Sequence, residues 1–285
     1  MLDNVNLIDP NFSINNTFQY HISLQLMLKG FSFCIIDTSL QKYIALKHYK
    51  FEKISSYASS LNKLNEIFNN DELLYNKFKS VKLIFASQRE TLVPLPLFSN
   101  EDIKKYFYFN QSEEKNEEVL YNKIKNSDAV NIFSIPTKFI NFFNNKFDNI
   151  TYYHQSTPFI ENALIENKNQ KFDYKVYVYN YEFFFDVIVI SPQKLLFYNT
   201  FKYKNENDFA YYLMNIFEQL KLNPSQTPVY LMGDITKQSD CYNIIKKFIT
   251  NIYFKKLSNS FDYSYVFNQI PEHYFFNMLN LYQCE

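Results

Sequence analysis

The segment KVYVYNYEFFFDVIVISPQKLLFYNTFKY, residues 175–203, decides how the rest of the chain is read. Val176 to Tyr179, Glu182 to Ile190 and Leu195 to Tyr203 are rich in β-branched and aromatic residues. They are interrupted by Asn180-Tyr181 and by Ser191-Pro192, the punctuation of a three-strand meander. Downstream, Phe209, Leu213, Ile216, Phe217 and Leu220 recur at three- and four-residue spacing and predict a helix over Asp208 to Leu220. Pro228 to Gly233 then reads as a buried strand and Ser239 to Ile249 as a second helix. The unit is β-β-β-α-β-α.

The same order stands nearer the N-terminus. Ile22 to Leu28, Phe31 to Asp37 and Tyr43 to Phe51 read as strands, with turns at Lys29-Gly30 and Ser39 to Lys42. Lys29-Gly30 fits a two-residue hairpin turn in which glycine takes a positive φ. A helix follows from about Ser55 to Phe68, carried by Tyr57, Leu61, Leu64 and Phe68, and then a buried strand over Val81 to Ala86. The two copies lie roughly 150 residues apart with little identity, a repeat of topology rather than a tandem array. Between them, Ser99-Asn100-Glu101-Asp102 has capping-box spacing and predicts a helix toward Phe107. The charge run Glu113 to Glu118 reads as a solvated loop or helix start. A strand near Asn131 to Ile135, a helix over Pro136 to Phe147, a strand over Thr151 to His154 and a helix opened by Ser156-Thr157-Pro158 complete this region. Lys168 to Lys171 is the expected boundary between halves. Pro271 to Tyr282 closes the chain as an expected helix with Phe275, Phe276, Leu279 and Tyr282 as its apolar stripe.

Length and composition bound the function. At about 150 residues per domain, 285 residues suggest two domains. Lys+Arg and Asp+Glu are 29 each, so no bulk positive field attracts a polyanion, and nucleic acid is not an expected partner. Hydrophobic residues at 47% and charged residues at 20% describe a globular chain. Gly numbers 2, too few for a phosphate-cradling loop or a dinucleotide fingerprint in their usual form. The N-terminus shows no basic segment followed by an apolar run, and no stretch reaches the length of a membrane span, so a cytoplasmic protein without membrane insertion is expected. Cys34, Cys241 and Cys284 match no metal or redox spacing, and Cys34 and Cys241 read as core. His21, His48, His154 and His273 show no ligand spacing. Asp37, after a strand, and Asp186, inside one, are the carboxylates whose burial would make them candidate bases, against the plainer reading of edge or turn positions. Tyr106-Phe107-Tyr108-Phe109 and Tyr263 with Tyr265 are candidate exposed aromatic patches.

Leu24 to Phe51, Val81 to Leu97 with its Leu95-Pro96-Leu97-Phe98 exit, Phe133 to Pro136, Tyr174 to Tyr203, and Val229 to Asp234 together carry a resemblance. Two such units fused head to tail, with a closing helix, look like the actin, Hsp70 and sugar-kinase superfold. Within it the chain resembles a small bacterial family, domain of unknown function thirty-eight twenty-two, over about residues 15 to 282. The resemblance implies an α/β, actin-like (ribonuclease H-like) fold, with duplicated β-β-β-α-β-α domains flanking a cleft. Residues 1–18 would form an extension, 19–168 the first domain, 169–260 the second, and 261–285 a C-terminal helix packing back on the first.

Active members of the superfold carry an Asp-x-Gly phosphate motif on the first hairpin of each domain and a Gly-Gly pair that receives the adenosine. Here the first hairpin reads Leu28-Lys29-Gly30, keeping the glycine and losing the acid; the second reads Tyr179-Asn180-Tyr181, losing both; the adenosine position reads Gly233-Asp234. The resemblance therefore implies a catalytically degenerate binding or assembly module with a protein partner. It implies no catalytic or metal-binding residue, and Lys29, Gly30, Gly233 and Asp234 as the positions where any residual adenine nucleotide would sit. The rival expectation is a divergent nucleotide-dependent phosphotransferase or phosphatase using Asp234, Asp37 or Asp186, whose carboxylates would have to converge. A third draws on the superfold's pilus-assembly and secretion-platform relatives and makes Phe275 to Tyr282 the docking candidate.

Overall fold

The computed structural model describes residues 3–52, 54, 56–168, 173–192 and 194–284. They form two compact units, one of residues 3–158 with Ser258–Gln269 and 277–284, the other of Phe159–Leu257 with Ile270–Phe276. Ser55 and residues 169–171 of the expected boundary stretch lie outside the described residues.

In the larger unit, β1 (Val5–Ile8), β2 (Tyr20–Met27), β3 (Gly30–Asp37) and β4 (Lys42–Lys50) precede α1 (Tyr57–Asn70) and β5 (Ser80–Phe85). An insertion of β6 (Glu90–Pro94), α2 (Ile103–Asn110), β7 (Glu117–Lys123) and β8 (Ala129–Pro136) leads to α3 (Thr137–Asn144), β9 (Ile150–His154) and the start of α4 (Ser156–Asn167). The smaller unit follows with β10 (Lys175–Asn180), β11 (Phe184–Ile190), β12 (Leu195–Lys202), α5 (Glu206–Gln219), β13 (Val229–Gly233), α6 (Asp240–Ile245) and β14 (Ile252–Phe254). The two-residue strand β15 (Asp262–Tyr263) returns to pair with β4, and α7 (Phe276–Asn280) precedes the C-terminal turn.

The two main sheets share one topology. The larger runs β1-β4-β3-β2-β5-β9 and the smaller β12-β11-β10-β13-β14. In each, an antiparallel meander (β2-β3-β4; β10-β11-β12) is followed by two strands parallel to its first member. The repeat read from the sequence is thus a repeat of strand order. Eight residues of β2 and eight of β3 are nearly all buried, as expected of central strands covered on both faces. In the core of the larger sheet, Phe31, Phe68 and Phe143 contact one another ring to ring, and Phe85 contacts Phe139. Each such phenylalanine contributes roughly 1.5–3 kcal/mol on burial. The smaller core is built from Val176, Val178, Phe185, Val187 and Val189 of the sheet against Phe209, Leu213, Ile216 and Phe217 of α5.

Several local expectations are corrected. Val5–Ile8 pairs with β4 and is a strand of the main sheet, although only alternate residues face inward. Gly30 is not in the hairpin turn. Leu28-Lys29 turns, Gly30 opens β3 opposite Met27, and among the described residues the glycine with positive φ is Gly233. A side chain at Gly30 would crowd His48, whose ring lies 3.2 Å from where a Cβ would stand. Ser99 makes no side-chain cap, and a 3-10 turn at Asn100–Asp102 starts the helix instead. The charge run ends in strand β7, and Glu117 is no solvated residue: its carboxylate, 4% exposed, is gripped by Arg89 at 2.7 and 3.1 Å. The closing segment is not one helix from Pro271: residues 272–275 form a turn whose His273 and Tyr274 carbonyls accept bonds from Gly233 and Tyr179, and α7 begins at Phe276. Among the described residues no helix is long and apolar enough to cross a membrane.

The insertion forms its own sheet, β6-β8-β7, with Phe107, Val119, Val130 and Ile132 as its small core. Arg89 ties it together, bridging Glu117, the Ser134 hydroxyl and the Ser112 carbonyl while lying over Phe107. Lysine cannot reproduce the forked contact. Arg89→Lys is expected to lower unfolding free energy in denaturant melts by about 1–3 kcal/mol, with no matching loss for Lys63→Ala, whose pair with Glu66 is exposed.

Candidate functional site

In open α/β sheets, ligands collect at the carboxyl ends of parallel strands. Each unit has one such place, and the sequence marks each with polar residues directly after an apolar run.

In the smaller unit, parallel β10 and β13 end at Asn180 and Gly233, which are register partners. Gly233 turns the chain with φ +77°. Any side chain there would overlap the Asn180 carbonyl and approach the Tyr179 ring to 2.7 Å, so glycine is obligatory. The chain itself engages the polar groups of the turn, with Asp234 half-buried. Asn180 Nδ2 donates to the Asp234 carbonyl at 2.7 Å, and the Asp234 N–H donates back to the Asn180 carbonyl at 2.8 Å. The Gly233 N–H donates to the His273 carbonyl at 2.9 Å, and His273 Nε2 lies 2.7 Å from the Ile235 carbonyl and therefore donates to it. The Tyr274 hydroxyl donates to the Asp234 carboxylate, and the Tyr179 hydroxyl donates to the Tyr274 carbonyl at 2.8 Å. Stacked rings of Tyr179, Tyr181 and Phe184 extend the closure. Burial pushes His273 below the ordinary histidine range, the carbonyl of Ile235 opposing it.

In the larger unit, β5 and β9 end beside the start of α4. The carboxamide of Gln155 pairs with the backbone of Ser87 as a strand would: Oε1 accepts from its N–H at 3.0 Å and Nε2 donates to its carbonyl at 2.6 Å. His154 Nε2 faces the same carbonyl at 3.1 Å and so carries the proton, leaving Nδ1, at 2.8 Å, to accept from the Ser156 hydroxyl. Asn131 donates to Ser156 at 2.6 Å and to Thr157 at 3.2 Å. Ser156, His154 and Gln155 have no exposed surface. The serine–histidine contact has the donor–acceptor sense of a nucleophile and its base. Burial, however, holds His154 at a pKa of about 3, against the Ser87 carbonyl, and gives it little basicity. Sequence alone reads His154 as the end of a strand and Ser156-Thr157-Pro158 as a helix start; the network that joins them requires the insertion's Asn131 and has no local signature.

Of the positions expected to hold a nucleotide, Lys29 and Gly30 lie in and beside the first hairpin turn of the larger unit, and Gly233 and Asp234 in the closed turn of the smaller. The alternative carboxylates are occupied separately. Asp37 accepts from Ser39 N–H and hydroxyl and from Leu40 N–H, an Asx turn. Asp186 is fully buried within β11 and accepts from the Thr200 hydroxyl at 2.6 Å. Among the described residues no group of three or more His, Cys, Asp or Glu is placed to hold a metal ion. Of the aromatic patches, Phe107 is core, Tyr106 and Tyr108 bond to the Leu97 carbonyl and Glu117, and Phe109 and Tyr265 are exposed.

Two substitutions read this architecture. Gly233→Ala is expected to cost at least about 2 kcal/mol of stability, from the positive φ and the overlap together, measured by chemical denaturation. The second concerns pH. Burial lowers His21 to about 3, with Lys82 adding to it, and His154 likewise. Both stay neutral in the fold while the unfolded chain takes up protons below about 6.5. Their contribution is therefore complete above pH 6.5 and is lost as pH falls toward 3, each by about 1.4 kcal/mol per unit once the unfolded histidine is protonated. His154→Gln is expected to flatten stability against pH in that window; an unchanged slope would contradict the assignment.

The family described as Protein of unknown function (DUF3822) matches residues 9–252. A solved protein from Bacteroides thetaiotaomicron VPI-5482, described as having an actin-like ATPase fold and unknown function, superposes with a TM-score of 0.81 at 26% identity, covering 96% of this chain and 99% of that one. A chain of a PilM-PilN type IV pilus biogenesis complex matches with a TM-score of 0.57 at 8% identity, covering 92% and 97%. No curated protein matches. The strand order described above is thus that of the actin-like ATPase fold.

Proposed function

The chain belongs to the family described as Protein of unknown function (DUF3822), and we propose that within it this protein is a binding module that has kept an actin-like scaffold without ATP turnover. One observation carries the reading. The turn at Gly233-Asp234, where the fold's adenosine pocket is expected, is filled from within by Tyr179, His273 and Tyr274, and its backbone donors are already engaged. A nucleotide at this turn would have to displace two tyrosine rings and break at least the Gly233–His273 and Tyr274–Asp234 bonds. The bond to the Asp234 carboxylate is worth about 1.5–3 kcal/mol and the backbone bond about 0.5–1.5 kcal/mol. Gly30, the other retained glycine, sits in extended strand against His48 rather than in a phosphate-facing turn.

The carboxylates available for a divergent mechanism also serve the fold, Asp37 as a turn cap, Asp186 as a partner of Thr200 and Asp234 as the acceptor for Tyr274. A protein partner is the occupant this reading assigns, and the PilM-PilN complex is an instance of a chain of similar fold solved together with another protein.

Calorimetric titration with Mg-ATP is expected to give no binding tighter than about 1 mM, a free energy near −4 kcal/mol, and no phosphate release. Micromolar affinity with turnover overturns the proposal. Tyr274→Ala, which removes the ring and its bond to Asp234, is expected to destabilise the protein without creating ATPase activity.

A further inference from the structure

Around the strand ends the polar side chains are engaged by the fold; at the C-terminal end of α5 two opposite charges are not. An open cavity of about 620 Å³ lies there, against the helix and the segment that leads to β13. Its floor is apolar, made of Phe217 and Leu222, both buried, with the half-buried Met214 beside them. Tyr211, 67% exposed, and Pro224 add to the apolar wall. Tyr211, Met214, Asn215 and Glu218 follow one face of α5 at helical spacing. The volume falls in the range of sites for small organic molecules, which combine mainly apolar walls with a few placed polar groups.

The polar groups here are Glu218 and Lys221, both exposed and three residues apart. The same spacing gives ion pairs elsewhere in this chain, Lys63 with Glu66 and Asp102 with Lys105, each at 2.6 Å. Glu218 and Lys221 pair neither with each other nor with any other charge among the described residues. The backbone explains it. α5 ends at Gln219, and Lys221 takes a φ of +53°. Its N–H donates to the Glu218 carbonyl at 3.1 Å, and the Leu222 N–H donates to the Phe217 carbonyl at 2.8 Å. This closing turn carries Lys221 off the helix face and drives Leu222 into the floor. An acid and a base are thus held apart at the mouth of one apolar cavity. Asn223 stands with them: its Oδ1 accepts from the Ser225 N–H at 2.9 Å, while its Nδ2 makes no bond among the described residues.

Charge and shape select the ligand. A simple cation would meet Lys221 and a simple anion Glu218, while a wholly apolar molecule would cover both charges without pairing either. A small zwitterion satisfies the two together. The Tyr211 ring, the Met214 thioether and the Phe217 ring favour an aromatic side chain on it. We propose that this cavity binds a free aromatic amino acid, its ammonium on Glu218, its carboxylate on Lys221 and Asn223, and its ring between Tyr211 and Met214 over Phe217. The cavity adjoins the connection that enters β13, at the opposite end of that strand from Gly233. Amino-acid and nucleotide titrations therefore read separate places, and this site does not depend on the partner-binding reading.

The test titrates the full, isotope-labelled chain with L-phenylalanine, its carboxamide and its N-acetyl derivative, followed by amide chemical shifts. Phenylalanine is expected to bind with a dissociation constant on the order of a few hundred micromolar, with shifts centred on Tyr211, Glu218, Lys221 and Asn223. Each blocked derivative, which loses one charge, is expected to bind about fivefold more weakly. Glu218→Gln should erase the difference between phenylalanine and the N-acetyl derivative but keep the deficit of the carboxamide; Lys221→Gln should do the converse. Tyr211→Ala is expected to lower affinity for phenylalanine about fivefold. No binding at about 10 mM, or shifts remote from α5, overturns the proposal. A carboxamide or N-acetyl derivative that binds as tightly as phenylalanine points to a peptide terminus and overturns it too. So does self-association in light scattering that either charge variant abolishes, since a second copy would then fill the cavity. Should a variant not fold, the three ligands on the wild-type chain still decide.

Discussion

The constraint on which the smaller unit's chemistry depends is the positive φ of Gly233 against Asn180 and Tyr179. Because the turn hugs the end of β10, it brings Asp234 back within bonding distance of Asn180 and leaves a donor, the Gly233 N–H, pointing at the carbonyl of His273. That bond recruits Ile270–Phe276 into the unit and fixes Tyr274 over Asp234. One backbone angle thus converts the place where this fold class exposes its strand ends into an internal joint. The same segment is turn rather than helix, and α7 starts at Phe276.

What the sequence made legible was strand order. Period-two and continuous apolar runs located every member of both meanders, because central strands buried on both faces leave no ambiguity about where they lie. The doubled topology follows from that alone. Residues whose roles depend on distant partners were not legible. Val5–Ile8 is too short to announce itself and exists because β4 offers an edge. Glu117 looks like a surface charge until Arg89 is placed beside it. Gly30 looked like a turn residue because glycine after lysine suits a hairpin, yet the packing of His48 explains it better than φ does. Of the candidate site, Gly233 and Asp234 were visible as a strand-end pair. The tyrosine and histidine that close over them come from forty residues downstream, beyond any local pattern.

Composition then explains the manner of closure. With two glycines and one arginine in 285 residues, the chain has few residues that can bring bare backbone to a ligand or fork onto a carboxylate. Its strand ends are satisfied instead by asparagine and glutamine carboxamides and by tyrosine hydroxyls. Asn180 and Tyr274 do so at β13, Gln155 at β5, Asn122 at β9 and Asn199 at β12. Carboxamides and phenols carry both an apolar body or compact stem and a polar tip, so they fill space while pairing backbone groups. A phosphate pocket needs the reverse, donors left unpaired around an empty volume. The residues that make this scaffold close-packed are therefore the same ones that argue against a triphosphate at its strand ends.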